Sequence, residues 1–311
     1  MAEHMAQRIA ERLVSFRVGE RRLTLRGAHD SYLDPIEGAD LAADPLARLA
    51  QTLPPAPAIL DVGANIGLTT LILAAIRPAA RIAAFEPIAQ NASLLERNLR
   101  ENNLADRCTI VRAAVGEAPG TTTMIADGPW SLVAAAGPAG PAVPVITLDS
   151  WCAANLPETR IDLIKIDVEG YEPNVLAGAA ALIRRWRPPV FLEFNSWTLL
   201  LQGRNPLAFA AFLWEAFAVS GANGETFPDA REFVFQNLME RRCVDDLVLR
   251  PRPEAALAPE RLAVTGFSPA PAPTPEPKPA RPRRFRHFWR RVSFATRTPP
   301  ESPPESPPES P

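Results

Sequence analysis

The stretch Ile59-Leu60-Asp61-Val62-Gly63-Ala64-Asn65-Ile66-Gly67 reads as a buried strand, a tight turn and the start of a helix. Its apolar half is short and ends on glycine, the mark of a strand covered on both faces. Gly63 and Gly67 let the backbone come close to a ligand, and the N–H groups where the following helix opens can meet a carboxylate or a ribose. Asp61 can hold a ligand ammonium. Glu86, at the end of the next apolar run, is placed to accept both hydroxyls of a ribose, as in nucleotide-binding α/β folds. Together these residues point to a nucleoside ligand. A dinucleotide fits less well: the position two after Gly63 is Asn65, so the G-x-G-x-x-G spacing is absent.

Outward from this turn, short apolar runs alternate with segments of helical period. Residues 58–62, 81–85, 109–115, 161–166 and 190–194 are expected as buried strands, and 68–76, 90–102 and 173–187 as helices. The alternation predicts an α/β fold with a doubly wound, mostly parallel sheet and an antiparallel terminal strand. Residues 116–146, rich in Gly, Ala, Thr and Pro, are expected as an inserted hairpin or loop over the C-terminal edge of the sheet. Residues 206–220 read as an apolar helix, and 232–235 with 244–249 as a closing antiparallel pair. Ahead of this domain, drawn over 58–250, residues 1–57 read as an N-terminal extension in which 14–18 and 23–25 form a hairpin around Gly19-Glu20.

After Arg250 the composition changes. Residues 251–311 hold 17 of the 35 prolines and ten Lys/Arg against six Glu, a net +4 in a chain of net −2, so residues 1–250 are net −6. Such a segment is expected to be extended and mobile. Within it, arginines from Arg281 to Arg297 interleave with Phe285, Phe288, Trp289 and Phe294. That pattern suits peripheral contact with an anionic membrane surface.

Composition narrows the function classes. The net charge argues against an electrostatic nucleic-acid binder, and no specific nucleic acid is expected as partner. Cys108, Cys152 and Cys243 are odd in number and form no CxxC pair, so a disulfide framework or zinc site is not expected. With no secretory pattern in residues 1–12 and no apolar run of about 18 residues, a cytoplasmic location is expected, with the tail able to reach the inner membrane face.

Several segments together resemble the FkbM-type methyltransferases. These are Asp61-Val62-Gly63-Ala64-Asn65-Ile66-Gly67, then Phe85-Glu86-Pro87 with Leu95, Asn98, Leu99 and Asn102, and then Ala113-Ala114-Val115-Gly116. The most specific is Ile161-Asp162-Leu163-Ile164-Lys165-Ile166-Asp167-Val168-Glu169-Gly170-Tyr171-Glu172, followed by Val175-Leu176-Ala177-Gly178-Ala179. Thr147-Leu148-Asp149-Ser150 and Pro189-Val190-Phe191-Leu192-Glu193 are also similar. The resemblance covers about 58–250. It implies a class I, Rossmann-like methyltransferase fold, S-adenosyl-L-methionine as donor and O-methylation, often of sugars or polyketide-type hydroxyls. Carried over residue by residue, it puts Asp61, Gly63, Asn65, Gly67 and Glu86 in the donor pocket and leaves the acceptor open.

Lys165, Asp167, Glu169 and Glu172 cluster where the fourth expected strand ends, and Glu193 ends its neighbour. Ligands bind at that edge of a parallel sheet. Strand alternation puts Lys165 and Asp167 on one side. Asp167 and Glu193 are read as the catalytic groups facing a small-molecule or glycan acceptor. No histidine falls in the core region, so a carboxylate is the expected base. Each member of the cluster also has a structural reading: Asp167 as a turn cap, Lys165 as the ion-pair partner of a neighbouring acid, Glu172 in a helix-dipole role. No metal is assigned, although three clustered acids could instead hold Mg²⁺. Two rival functions remain at this point: a catalytically silent Rossmann-like assembly module tethered by its tail, and a nicotinamide-dependent oxidoreductase.

Overall fold

The computed structural model describes residues 11–127, 130–133 and 141–253. The hairpin expected near the N-terminus is formed. Strands β1 (Arg12–Val18) and β2 (Arg21–Gly27) pair antiparallel across Gly19, which takes φ +63°. Val14, Phe16, Val18, Leu23 and Leu25 point inward at every second position, as a ribbon covered on one face requires. The chain at 38–41 returns along β1: the Arg17 N–H donates to the Ala39 carbonyl, and the Gly38 N–H to that of Ser15. Helices α1 (Asp30–Leu33) and α2 (Pro45–Gln51) follow, α2 opening on proline with Asp44 accepting from the Leu46 N–H.

The α/β alternation then runs as expected. Strand β3 (Ala58–Val62), helix α3 (Leu68–Ile76), strand β4 (Arg81–Phe85), helix α4 (Ala89–Glu101) and strand β5 (Cys108–Val111) form the first half. Strands β6 (Ala114–Val115), β7 (Gly120–Asp127), β8 (Trp130–Val133) and β9 (Ala142–Ile146) are the insertion. They make a separate four-stranded sheet ordered β6-β9-β7-β8, in which β7 and β8 form the expected hairpin. The run expected as one strand over 109–115 is thus divided between two sheets.

The second half comprises helix α5 (Leu148–Asn155), strand β10 (Leu163–Ile166), helices α6 (Glu172–Ala177) and α7 (Ala180–Trp186), strand β11 (Val190–Asn195) and helix α8 (Ser196–Leu201). Helix α9 (Pro206–Ala216), strand β12 (Phe217–Gly221), helix α10 (Ala230–Met239) and strand β13 (Val244–Pro251) close the fold. Three readings are corrected here. The helix expected over 173–187 is two helices, because the Asp149 carboxylate accepts from the N–H groups of Ala181 and Leu182 and caps a fresh start at α7. The helix expected over 206–220 stops at Ala216, and its last residues form β12. The run 232–235 is not a strand but the middle of α10, started by Asp229, whose side chain accepts from the Arg231 and Glu232 N–H groups. The antiparallel pair exists, with β12 and β13 as its members.

The main sheet has the order β12-β13-β11-β10-β3-β4-β5. Only β13, the last strand among the described residues, runs antiparallel in this sheet, between β11 and β12. Ala58, Leu60 and Val62 face a core shared with α5, α6, α7, α9 and α10. Ile59 faces the opposite core, shared with α2, α3, α4 and the hairpin. The N-terminal segment is therefore part of the sheet's cover. Asn98 on α4 and Asn102, the residue just past its end, fasten it. Asn102 accepts from the Thr24 N–H and donates to the Thr24 carbonyl, and Asn98 does the same with Arg26 while also donating to the Ile66 carbonyl.

Strand β13 runs through Pro251, paired with Phe217, and Arg252 donates to the carbonyls of Ala216 and Phe217. A boundary after Arg250 thus cuts a paired strand. The rest of the proline-rich tail, with its arginine and aromatic cluster, lies outside the described residues. Among those described, no helix is long and apolar enough to cross a membrane.

Candidate active site

A cavity of about 610 Å³ opens at the C-terminal ends of β3, β4, β10 and β11. Parallel strands end there and ligands of such sheets bind at that edge, but the turn after β3 offers close approach rather than free donors: the N–H groups of Gly63 and Ala64 donate to the Phe85 carbonyl and that of Gly67 to the Ala64 carbonyl. Gly63 is decisive. It has φ +78°, and a Cβ there would stand 1.8 Å from the Asp167 carbonyl oxygen. The turn after β3 and the turn after β10 touch at this point, which only glycine permits.

The predicted donor residues divide into two groups. Gly63, Asn65 and Glu86 line the cavity. Asn65 takes φ +51° and turns its N–H onto Glu86, whose Oε2 accepts it at 2.9 Å, while Oε1 accepts from the Ile88 N–H at 2.9 Å. The Asn91 side chain is a third hydrogen-bond partner of this carboxylate, which leaves it a lone pair for a ligand hydroxyl. Burial pushes the Glu86 carboxyl up to about 7, against the pull of those N–H groups and of Lys165. Asp61 and Gly67 stand behind the wall. Gly67 starts α3 with φ +102°, pressed against Leu95. Asp61 is fully buried and accepts hydrogen bonds from the hydroxyls of Thr69 (2.9 Å) and Thr70 (2.6 Å).

Lys165 connects the two turns. It lies opposite Asp61 on the adjacent strand. Its Nζ donates to the Gly63 carbonyl at 2.8 Å and ion-pairs with Asp61 at 3.4 Å and Asp167 at 3.5 Å. Burial pulls the ammonium pKa down, but Asp167 and Asp61 more than offset this and leave it raised.

Asp167, Glu169 and Glu193 come together on one wall, each with a carboxylate oxygen within 4.8 Å of the others. Asp167 is held against Lys165 and is 38% exposed. Burial, then Asp167, raises the Glu169 carboxyl to about 8. Burial, then Asp167 and Glu169, also raises the Glu193 carboxyl well above the usual carboxylate range. Glu172 stands apart: its Oε1 accepts from the Val168 and Gly170 N–H groups and closes the loop. Among the lining residues that the sequence reading passed over are Asp246 and Tyr32. Asp246 on β13 lies opposite Glu193 in register, its carboxyl raised to about 7 by loss of solvent and by Asp167. An acid in the apolar run 244–249 was the available signal. Tyr32, from the N-terminal segment, closes another side, its phenol pKa raised by burial; no motif marks it.

The profile of the methyltransferase FkbM domain matches residues 61–238. The chain belongs to the FkbM methyltransferase family. Its methyl donor is accordingly S-adenosylmethionine. Among curated proteins it is 29% identical over 142 residues to Methyltransferase 1 of Beauveria bassiana, covering 39% of this chain and 57% of that one. It is also 55% identical over 47 residues to the AMB antimetabolite synthetase AmbE of Pseudomonas aeruginosa, covering 15% of this chain and 2% of the synthetase. The chain therefore spans little more than half of the first of these proteins and a small piece of the second. A solved FkbM methyltransferase from Methylobacillus flagellatus KT aligns over 67% of this chain and 51% of its own, with 18% identity and a TM-score of 0.39.

Proposed function

We propose that this FkbM-family methyltransferase acts on a hydroxyl oxygen of a sugar or other hydroxylated small molecule. The observation that carries the reading is the wall of Asp167 and Glu193 in the same cavity as the Gly63 turn and Glu86. The cavity fits the donor: Gly63 brings the turn to its wall without a side chain, and Glu86 on the same wall keeps acceptor capacity for a ribose hydroxyl. When bound, S-adenosylmethionine supplies a methyl carbon on a sulfonium sulfur, which keeps the bonding pair once an acceptor oxygen has displaced it. Gly63, Asn65 and Glu86 would hold the nucleoside end. Lys165 fixes both turns and so sets the distance between donor side and acidic wall. Asp167 would take the acceptor's hydroxyl hydrogen bond and then its proton as the oxygen–carbon bond forms. Glu193 would orient the acceptor. No histidine lines the cavity among the described residues, so the acids are the groups available for that proton.

The test is Asp167→Asn, which keeps shape and removes charge. Turnover with a hydroxylated acceptor should fall by roughly 10²–10⁴, the span of a general base. S-adenosylhomocysteine affinity, measured by calorimetry, should stay within a few fold. Equal loss of both would move Asp167 to the donor pocket, and unchanged turnover would make it a turn cap.

A further inference from the structure

We infer that the phenol of Tyr32, supplied by the N-terminal segment, donates a hydrogen bond to the amino-acid carboxylate of S-adenosylmethionine. The inference concerns the methyl donor alone and holds whichever hydroxyl is methylated. Tyr32 lines the cavity although it lies outside the family match at 61–238. It is half-buried, and among the described residues its hydroxyl has no hydrogen-bond partner. A tyrosine hydroxyl withdrawn from water usually finds one. Loss of solvent and then Asp167 raise this phenol, with Asp61 and Glu86 adding and Lys165 opposing. Tyr32 thus feels the ribose side at Glu86 and the acidic wall at Asp167 together, and it keeps its proton. The other tyrosine on the lining, Tyr171, answers instead to Glu117 and Arg204.

Local structure holds Tyr32 in place. Helix α1 is a single turn in which the Tyr32 and Leu33 N–H groups both donate to the His29 carbonyl. Leu33 is fully buried, and a Cβ on Gly27 at the end of β2 would stand 3.2 Å from it. Arg12 on β1 donates to Asp30, Asp34 and Glu37 and so ties both ends of the turn to the ribbon. The groups that could otherwise meet a carboxylate near the first turn are occupied. The N–H groups of Gly63, Ala64, Asn65 and Gly67 are taken by the Phe85 carbonyl, by Glu86 and by the Ala64 carbonyl. The Thr69 hydroxyl is spent on Asp61, and the Lys165 ammonium is divided among Gly63, Asp61 and Asp167. An anionic group entering a cavity lined by Glu86, Asp167, Glu169, Glu193 and Asp246 needs a proton to face, and the Tyr32 phenol presents one.

The experiment uses the full-length protein and two thioethers. One is S-adenosylhomocysteine; the other, S-adenosyl-3-thiopropylamine, is the same molecule without its carboxylate. Each is titrated calorimetrically into the unmodified chain and into Tyr32→Phe, which keeps the ring and removes only the hydroxyl. S-adenosylhomocysteine should bind the variant about 10- to 100-fold more weakly, the range for a hydrogen bond to a charged group. The amine should bind both proteins alike, which also shows that the variant is folded. Equal weakening of the two thioethers, or weakening of neither, overturns the carboxylate contact and leaves the methyltransferase reading standing. Failure of both to bind the unmodified chain removes the methyl-donor pocket itself, and this assignment with it.

Discussion

At the scale of single residues, the site depends on a buried cation. Lys165 is 3% exposed and faces a carboxylate that is fully buried. Removing one partner of such a pair leaves the other charged in a medium that cannot solvate it. Lys165→Met should therefore lower stability by about 3–5 kcal/mol in urea unfolding. A loss below about 1 kcal/mol would mean that Asp61 simply takes up a proton. Glu86 answers differently. Glu86→Ala should weaken S-adenosylhomocysteine binding by about 1–3 kcal/mol, and Glu86→Gln by less, since one amide oxygen still accepts. Equal affinity in all three proteins would remove Glu86 from the ribose role. Residue type and strand position were enough to bring out Gly63, Glu86, Asp167 and Glu193, and the family resemblance added Asn65. They could not reveal that Asp61 stands behind the wall, because that depends on Thr69 and Thr70 reaching back from α3. Nor could they find Tyr32, which meets the cavity through tertiary packing alone.

At the scale of elements, the strands with near-continuous apolar runs were legible and the helix ends were not. Residues 232–235 alternate in a way that suits a strand, yet Asp229 with Glu232 three residues on is a helix start, and the cap prevailed. The division of 173–187 was invisible because its cause, Asp149, lies in another helix. The loop closed by Glu172 supplies a prediction of pH dependence. Burial, opposed by its N–H donors, raises this carboxyl to about 7. A carboxyl raised above its unfolded value holds its proton more tightly in the native state. Its stabilisation is complete below about pH 4.5 and is lost as pH rises through about 7. Glu86 and Asp246 act in the same direction. The melting temperature should therefore fall between pH 5 and 8. Glu172→Gln retains one oxygen for both N–H donors and places its amide where Oε2 has no partner. It should remove about 1–3 kcal/mol of that pH-dependent loss. An unchanged slope in thermal melts would show that Glu172 is ionised throughout.

At the scale of the whole molecule, the fold extends beyond the expected domain at both ends. A chain ending at residue 253 should melt within about 2 °C of the full chain, since the removed segment is expected to add no core. One ending at residue 250 loses the Pro251 pairing and the Arg252 hydrogen bonds. At about 0.5–1.5 kcal/mol per hydrogen bond, it should melt roughly 2–6 °C lower. Differential scanning calorimetry of the two separates a docked tail from an added one.

The N-terminal ribbon carries a further consequence. A two-stranded sheet ordinarily offers two open edges on which another polypeptide can polymerise. Here the turn at 38–41 occupies the rim of β1, and the amides of Asn98 and Asn102 occupy the rim of β2, each matching donor to acceptor as a third strand would. A helix is thus serving as a counterfeit strand. Replacing both asparagines with leucine would keep the helix packed on the ribbon while stranding the N–H and C=O groups of Thr24 and Arg26 beneath it, so the ribbon would lose its hold on the domain rather than gain an open edge.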